Sequence, residues 1–273
     1  MSELSPQPLP ENNPPGNNSK SQGPARTDAA AGLSAPTNVL IIIPTYNEKE
    51  SIADLIAAIR QSLVRADIVI VDDNSPDGTA EIVRSLAAAD RTIHLIERTE
   101  RGLGTAYAAG FNFGLQHGYD LFITMDADFS HDPAYLPKFI AAAGHSDVVI
   151  GSRYTRDGGT INWGIRRILL SWFANQFAHL LLNLQSSDLT SGFRAYHRSV
   201  LQKIPFSSFR SQGYSYLVEM LFWAKKKAAV IMEIPIIFVD RRLGKSKISK
   251  REIYRGAWTL IRLRLGSGQQ GKR

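Results

Sequence analysis

From about residue 38 onward, apolar runs and polar breaks repeat in a regular cycle. Val39-Leu40-Ile41-Ile42-Ile43 reads as a buried strand that stops at Pro44-Thr45-Tyr46-Asn47-Glu48, after which Ile52, Leu55, Ile56 and Ile59 take up helical spacing. The cycle recurs when Ile68-Val69-Ile70-Val71 stops at Asp72-Asp73-Asn74-Ser75-Pro76-Asp77-Gly78 and a helix containing Ile82, Val83 and Leu86 follows. A third run, Leu121-Phe122-Ile123-Thr124-Met125, closes on Asp126-Ala127-Asp128. Strands alternating with helices predict an α/β fold with a mostly parallel sheet. Ligands of such sheets sit outside the carboxyl ends of the strands, where both acidic loops and Asp126 are expected to converge.

Further along, Val148-Val149-Ile150 reads as a strand and Tyr216 to Ala224 as a helix, while Val230 to Val239, interrupted by Pro235, reads as a short apolar strand pair. Between them, Trp163 to Leu184 carries polar residues every fourth position (Arg167, Ser171, Asn175, His179, Asn183) on an otherwise apolar helix. Such a segment is either a core or subunit-interface helix, or one that lies on a surface and receives a lipid chain. His179 is read as part of the stripe and not as a ligand. Near the end of the chain, Tyr254, Trp258, Leu260, Ile261, Leu263 and Leu265 are interspersed with Arg251, Arg255, Arg262 and Arg264. That helix either packs on the domain or meets an anionic membrane.

The chemistry is concentrated at the strand ends. Carboxylates two residues apart on an extended backbone point the same way, so Asp126 and Asp128 can face one hard cation that also holds a diphosphate. Asp-x-Asp alone is more often a solvated turn than a metal site, and the two other acidic loops at the same sheet edge reverse that balance. Thr45 and Glu48 also have capping-box spacing, and Asp73 could merely make a turn.

Composition narrows the classes. The 273-residue chain suffices for one catalytic domain. Residues 1–36, rich in Pro, Asn, Ser, Gly and Ala, are expected to be a disordered tail. The catalytic domain is expected over 37–250, with an interfacial helical segment at 163–184, and a basic, partly apolar helix and tail over 251–273. The leader lacks the apolar stretch of a secretory signal, and no run of about 18 uncharged apolar residues could span a bilayer. A cytoplasmic protein, peripheral on the cytoplasmic face of a membrane, is expected. The chain has no cysteine, which removes disulfides, thiolate metal sites and thiol nucleophiles. The formal net charge of +7 favours anionic partners. No nucleic-acid-binding signature accompanies it, so no nucleic acid is expected.

Several motifs together resemble the polyprenyl-phosphate (dolichyl-phosphate) mannosyltransferases of glycosyltransferase family 2. They are Pro44 to Glu48, Val71 to Thr79, Gly102-Leu103-Gly104-Thr105-Ala106-Tyr107, Met125 to His131, Gly151-Ser152-Arg153-Tyr154, Ser187 to Arg194 and Phe238-Val239-Asp240-Arg241. The resemblance implies a GT-A fold and inverting transfer of mannose from GDP-mannose to a polyprenyl or dolichyl phosphate. The alternatives are glucose transfer from UDP-glucose on the same fold, and a non-catalytic membrane adaptor of that fold. It further implies that Pro44, Tyr46, Glu48, Val71 and Asp73 hold the nucleoside, with Ala127 alongside. A divalent metal, Mg2+ or Mn2+, would be held by Asp126 and Asp128, with Ser130 as a third oxygen ligand. Arg241 and Lys247, flanking the Gly244-Lys245-Ser246 turn, would hold the donor diphosphate.

A leaving nucleoside diphosphate gains negative charge, which a bridging cation stabilises. No general base is conspicuous, and none is required of a phosphate acceptor. With a second pKa of about 6 it is largely dianionic at neutral pH and attacks unaided. Hydrogen-bond donors, cationic ones above all, must position it, and Arg153 and Arg167 with Ser171 are the candidates that both the residues and the resemblance indicate. Asp188 and Thr190 through Arg194 are expected to form an acceptor-side loop. A membrane surface is the expected partner, with a membrane-anchoring protein possible beside it.

Overall fold

The computed structural model describes residues 38–63, 65–209, 211–240 and 250–267. The expected tail over 1–36, and Arg241 and Lys247 with the turn between them, lie outside the described residues.

The three apolar runs become neighbouring strands. β1 (Val39–Thr45) lies between β2 (Asp67–Asp72) and β4 (Leu121–Thr124), and β3 (Ile93–Glu97) forms the sheet edge beyond β2, all four parallel. Helices α1 (Ile52–Ser62), α2 (Thr79–Ala89) and α3 (Leu103–Gln116) connect them, followed by α4 (Leu136–Ala143) and β5 (Val148–Ser152). Continuous apolar runs are what a strand covered on both faces requires, and Leu40 to Ile43 and Ile68 to Val71 are completely buried. The metal-motif strand is shorter than the run suggested. It ends at Thr124, so Asp126 and Asp128 stand on the loop beyond it. Alternation nonetheless persists, with Met125 and Ala127 buried and both aspartates on the more open side.

The remaining elements are β6 (Gly159–Ile161), α5 (Ile165–Leu182), β7 (Arg194–His197), α6 (Arg198–Leu201), α7 (Tyr214–Lys226), β8 (Ile231–Pro235), β9 (Ile237–Val239) and α8 (Lys250–Ser267). The sheet order is β3-β2-β1-β4-β7-β5-β8, and β7 runs antiparallel to both its neighbours. Arg194, expected in a loop, is the first residue of that strand and is fully buried. Its guanidinium donates to the carbonyls of Leu217 (2.6 Å) and Leu189 (2.7 Å), which replace its lost water. The apolar pair over 230–239 also differs from expectation, because its two strands do not pair with each other. β8 joins the main sheet beside β5, whereas β9 pairs with β6 in a separate two-stranded sheet. Pro235 lies at the division.

α3 packs unusually close to the sheet because it presents glycine there. A Cβ at Gly110 would lie 2.4 Å from Ile42, and one at Gly114 would lie 2.3 Å from Phe122 and 2.6 Å from Leu40. Gly114→Ala should therefore destabilise the fold by about 1–3 kcal/mol, because the core must be overpacked to admit the methyl group. Urea unfolding measures this, and an unchanged midpoint would show that α3 can lift without cost.

Candidate active site

The loops after β1 and β2 are laced into one unit. The amides of Asn47, Glu48 and Lys49 donate respectively to Ser75 Oγ, Thr79 Oγ1 and Asp77 Oδ2, at 3.0, 3.1 and 3.0 Å. Pro44 and Val71 are register partners on adjacent strands, which places two of the expected nucleoside contacts side by side. The capping-box alternative for Thr45 and Glu48 is not realised. Thr45 Oγ1 donates to Asp72 (2.8 Å), and α1 starts after Ser51.

The turn role considered for Asp73 falls to Asp72, which accepts the Ser75 amide and hydroxyl. Asp73 instead reaches the loop after β3. Its Oδ1 accepts from Arg98 Nη2 (2.6 Å) and Nε (3.0 Å), and its Oδ2 accepts the Gly102 amide (2.9 Å). Beside it, the Arg101 guanidinium lies 4.1 Å from the centre of the Tyr46 ring, a cation–π contact.

At the end of β4, Phe129 takes a positive φ of +60°, a conformation that costs a bulky residue on the order of 1 kcal/mol. The bend folds Ser130 back so that its amide (3.1 Å) and hydroxyl (2.6 Å) both donate to Asp128 Oδ1. The hydroxyl expected as a third metal ligand gives its proton to Asp128 and keeps its oxygen lone pairs for a cation. His131 is fully buried, and its Nδ1 accepts the Asp126 amide (3.0 Å). That nitrogen carries no proton, so its 3.8 Å spacing from Asp126 Oδ2 is not an ion pair. Burial holds the His131 pKa below the usual imidazole value, although Asp126 and Asp128 oppose this.

No cluster of three or more His, Cys, Asp or Glu side chains forms a metal site among the described residues. Two neighbouring carboxylates, one of them with a 38% exposed side chain, still fit a hard divalent ion. Such an ion commonly takes one or two protein carboxylates and fills its other positions with water and substrate phosphate.

Arg153, just past β5, is 6% exposed. Its Nε and Nη2 donate to the two oxygens of Asp188 at 2.7 Å each, and Nη2 also donates to Thr190 (2.8 Å). Burial alone would raise the Asp188 pKa, but Arg153 outweighs it and holds the carboxyl below its usual range. The Asp188 loop is fastened further by Glu233, which accepts the amides of Ser187 and Asp188, and by Asn175, which accepts that of Leu189.

An aromatic group adjoins the arginines. Trp163 and Phe238 meet edge to face, with Arg153 5.1 Å and Arg167 4.1 Å from the Trp163 ring centre. Arg167 also pairs with Asp240 at 2.5 Å. Phe238 contacts His131, so the carboxylate and arginine ends are joined through side chains. The structure therefore brings Arg153 and Arg167 together around Trp163, with Ser171 one turn further along α5.

Asp188, His131, Asp240 and the Trp163–Phe238 pair were not given individual roles from sequence. His131 stands directly after the Asp-x-Asp turn and Asp188 within a flagged motif, so position was available as a signal. Asp240 likewise stands within a flagged motif, and Trp163 opens the striped segment.

α5 is inverted relative to an ordinary surface helix. Arg167, Ser171 and Asn175 face the domain, whereas Ile165, Leu169, Trp172, Phe173, Phe177 and Leu180 are exposed. The core-helix alternative therefore does not hold within this chain. α8 divides, with Leu260 and Leu263 buried but Trp258 and Leu265 exposed. Among the described residues, no helix is long and apolar enough to cross a membrane.

Residues 40–205 match the domain described as glycosyl transferase family 2. The undecaprenyl-phosphate mannosyltransferase of Micrococcus luteus is 42% identical over 212 residues, covering 77% of this chain and 87% of that protein. The polyprenol monophosphomannose synthase of Mycolicibacterium smegmatis is 42% identical over 217 residues, covering 78% and 82%. Among solved structures, glucosyl-3-phosphoglycerate synthase from Mycobacterium tuberculosis, in complex with Mn2+, uridine diphosphate and glucosyl-3-phosphoglycerate, shares the fold. Its TM-score is 0.58 at 16% identity, covering 84% of this chain and 79% of that one.

Asp188→Asn should cost about 3–5 kcal/mol at neutral pH, because it leaves a buried guanidinium without its counter-charge. The lowered folded-state pKa of Asp188 means that its contribution is present above the usual carboxylate range and is lost as pH falls through the depressed value. Wild type should thus show a steeper acid-side decline in unfolding free energy than the variant. Parallel pH profiles would show that the pair carries no such linkage.

Proposed function

The chain belongs to glycosyltransferase family 2, and we propose on that basis that it transfers mannose from GDP-mannose to a polyprenyl (dolichyl-type) monophosphate. The observation that carries this reading is the junction of two surfaces. Arg153, just past β5, and Arg167, in the first turn of α5, meet around Trp163, and an exposed apolar face extends along α5 from there. A phosphate on a hydrocarbon chain needs both.

Asp126 and Asp128 would hold Mg2+ or Mn2+, with the Ser130 oxygen as a third ligand. When bound, the cation neutralises charge that develops on the departing diphosphate. Pro44, Tyr46, Glu48, Val71 and Asp73 would hold the nucleoside, with Ala127 alongside, and Asp73 also fixes the Arg98–Gly102 loop. Arg241 and Lys247 are proposed for the diphosphate. The acceptor phosphate oxygen forms the new bond to the anomeric carbon as the bond to GDP breaks, and the electron pair leaves on the diphosphate oxygen. A single in-line displacement inverts that carbon. Arg153, Arg167 and Ser171 position the attacking phosphate. Asp188 and Thr190 fix the Arg153 side chain in one orientation, so its donors need no reorganisation in the transition state.

The protein would work peripherally, on the cytoplasmic face of a membrane. Exposed α5 side chains supply apolar contact, and Arg262 and Arg264 on α8 add attraction to anionic lipid of about 1 kcal/mol per surface-proximal residue.

Transfer assays with polyprenyl phosphate should show mannose moved from GDP-mannose in preference to glucose from UDP-glucose. Asp128→Asn should lower turnover about a hundredfold or more without changing the thermal midpoint. Full activity in excess chelator would sink the metal-assisted mechanism, and preference for UDP-glucose would reassign the donor.

Cosedimentation with anionic vesicles should exceed that with neutral vesicles and weaken with salt. The double substitution Phe173→Glu and Leu180→Glu should abolish it while leaving activity on a short, water-soluble polyprenyl phosphate. Undiminished vesicle binding by that variant would move the contact away from α5.

A further inference from the structure

The two arginines beside Trp163 differ in the donors they have left. A guanidinium carries a side-on fork, Nε with Nη2, that matches two oxygens of a carboxylate or phosphate. In Arg153 that fork is already taken, because Nε and Nη2 donate to the two oxygens of Asp188 at 2.7 Å each. Nη1 is its one nitrogen without a partner among the described residues.

In Arg167 the pattern is reversed. Nη1 donates to Asp240 Oδ2 at 2.5 Å, whereas Nε and Nη2 have no partner among the described residues. The side chain is 23% exposed and neither nitrogen is among the buried unpartnered atoms of those residues, so the fork is open to solvent and to a ligand. Two contacts fix its direction. The guanidinium carbon lies over the Trp163 ring, 4.1 Å from its centre, and Asp240 takes the nitrogen outside the fork, which restrains rotation of the group over that ring. Both supports are themselves anchored. Asp240, just past β9, donates its amide to the Ile161 carbonyl at 3.0 Å, and Trp163 meets Phe238 edge to face.

We propose that Asp240 is a positioning residue for the acceptor phosphate: with Trp163 it holds Arg167 so that the Nε–Nη2 fork meets two phosphate oxygens, while Arg153 adds a single contact from Nη1. The inference rests on the reading of a polyprenyl phosphate as acceptor. A carboxylate beside a phosphate-binding arginine could instead occupy the place of the phosphate and have to leave it. The open fork favours positioning, because a phosphate reaches it without displacing Asp240. Solvent screening leaves the Arg167–Asp240 pair little worth of its own. Its effect lies in ordering a long side chain before the ligand arrives.

Calorimetry of a short, water-soluble polyprenyl phosphate with the full-length protein, without donor, tests this, with thermal midpoints measured in parallel. Asp240→Ala should bind it about fivefold more weakly than wild type, the equivalent of ordering one long side chain. Arg167→Ala should lose about thirtyfold. Arg167→Lys keeps the charge but has no fork, and should lose about tenfold. Asp240→Ala added to Arg167→Ala should cause no further loss, a result that a general structural role would not give. Wild-type affinity in Asp240→Ala would overturn the positioning role, and tighter binding would overturn it by showing that the carboxylate competes with phosphate. Additive losses in the double variant would show that Asp240 does not act through Arg167, and full affinity in Arg167→Lys would show that the fork is not used. Failure of wild type itself to bind the polyprenyl phosphate would overturn the acceptor reading and this inference with it.

Discussion

A guanidinium and a carboxylate enter a protein interior together only if their contacts replace most of the water they give up. Arg153 and Asp188 meet this condition through two parallel hydrogen bonds, a third to Thr190, and amides of Arg153, Thr190 and Ser191 that donate to the carboxylate. The pair joins the end of β5 to the loop before β7, and Glu233 on β8 and Asn175 on α5 hold the same loop from other sides. Four elements thereby take their positions from one buried charge. The location of α5, and with it the site of Arg167 and Ser171, follows from that arrangement.

The two halves of the site are built by different physics. On the β1–β2 side, short loops are fixed by backbone amides donating to side-chain oxygens. On the α5 side, arginines are set against aromatic faces, and Arg167 is held by Asp240 and Trp163 in a partly exposed position. A moderately exposed pair of this kind exchanges partners at little cost, because solvent screens it. Arg153 is thus held in one orientation, whereas Arg167 can change partners.

Much of the parallel half of the fold was legible, because strands buried on both faces leave uninterrupted apolar runs. β7 was not legible. Arg194-Ala195-Tyr196-His197 looks polar, and only the carbonyls of Leu189 and Leu217, remote from one another in sequence, make a buried arginine acceptable there. The short edge strand β3 and the three-residue β6 lack a distinctive pattern and also passed unnoticed. Spacing over 163–184 predicts a polar stripe but not which face turns inward, and only Arg167, Ser171 and Asn175 of that stripe do so, while His179 and Asn183 are exposed. The inward turn of its first half is dictated by Asn175, which accepts the Leu189 amide, and by Arg167, which meets Asp240. Candidate residues at strand ends are legible because the topology of a parallel sheet gathers them at one edge. Their immediate supports, such as His131 for the Asp126 amide, depend on a backbone bend at Phe129 that no periodicity encodes.

The lacing of the two loops after β1 and β2 bears on how a ligand would associate there. Asn47, Glu48 and Lys49 already have their amides bonded to Ser75, Thr79 and Asp77, and burial of Asp77, which would raise its pKa, is outweighed by hydrogen bonds from Thr79 and Lys49 that hold it below the usual carboxylate value. The conformational entropy of that surface is surrendered when the chain folds and not when a ligand arrives. Association at this end is then governed by desolvation and encounter, with little loop ordering, which favours rapid exchange of one small molecule for the next.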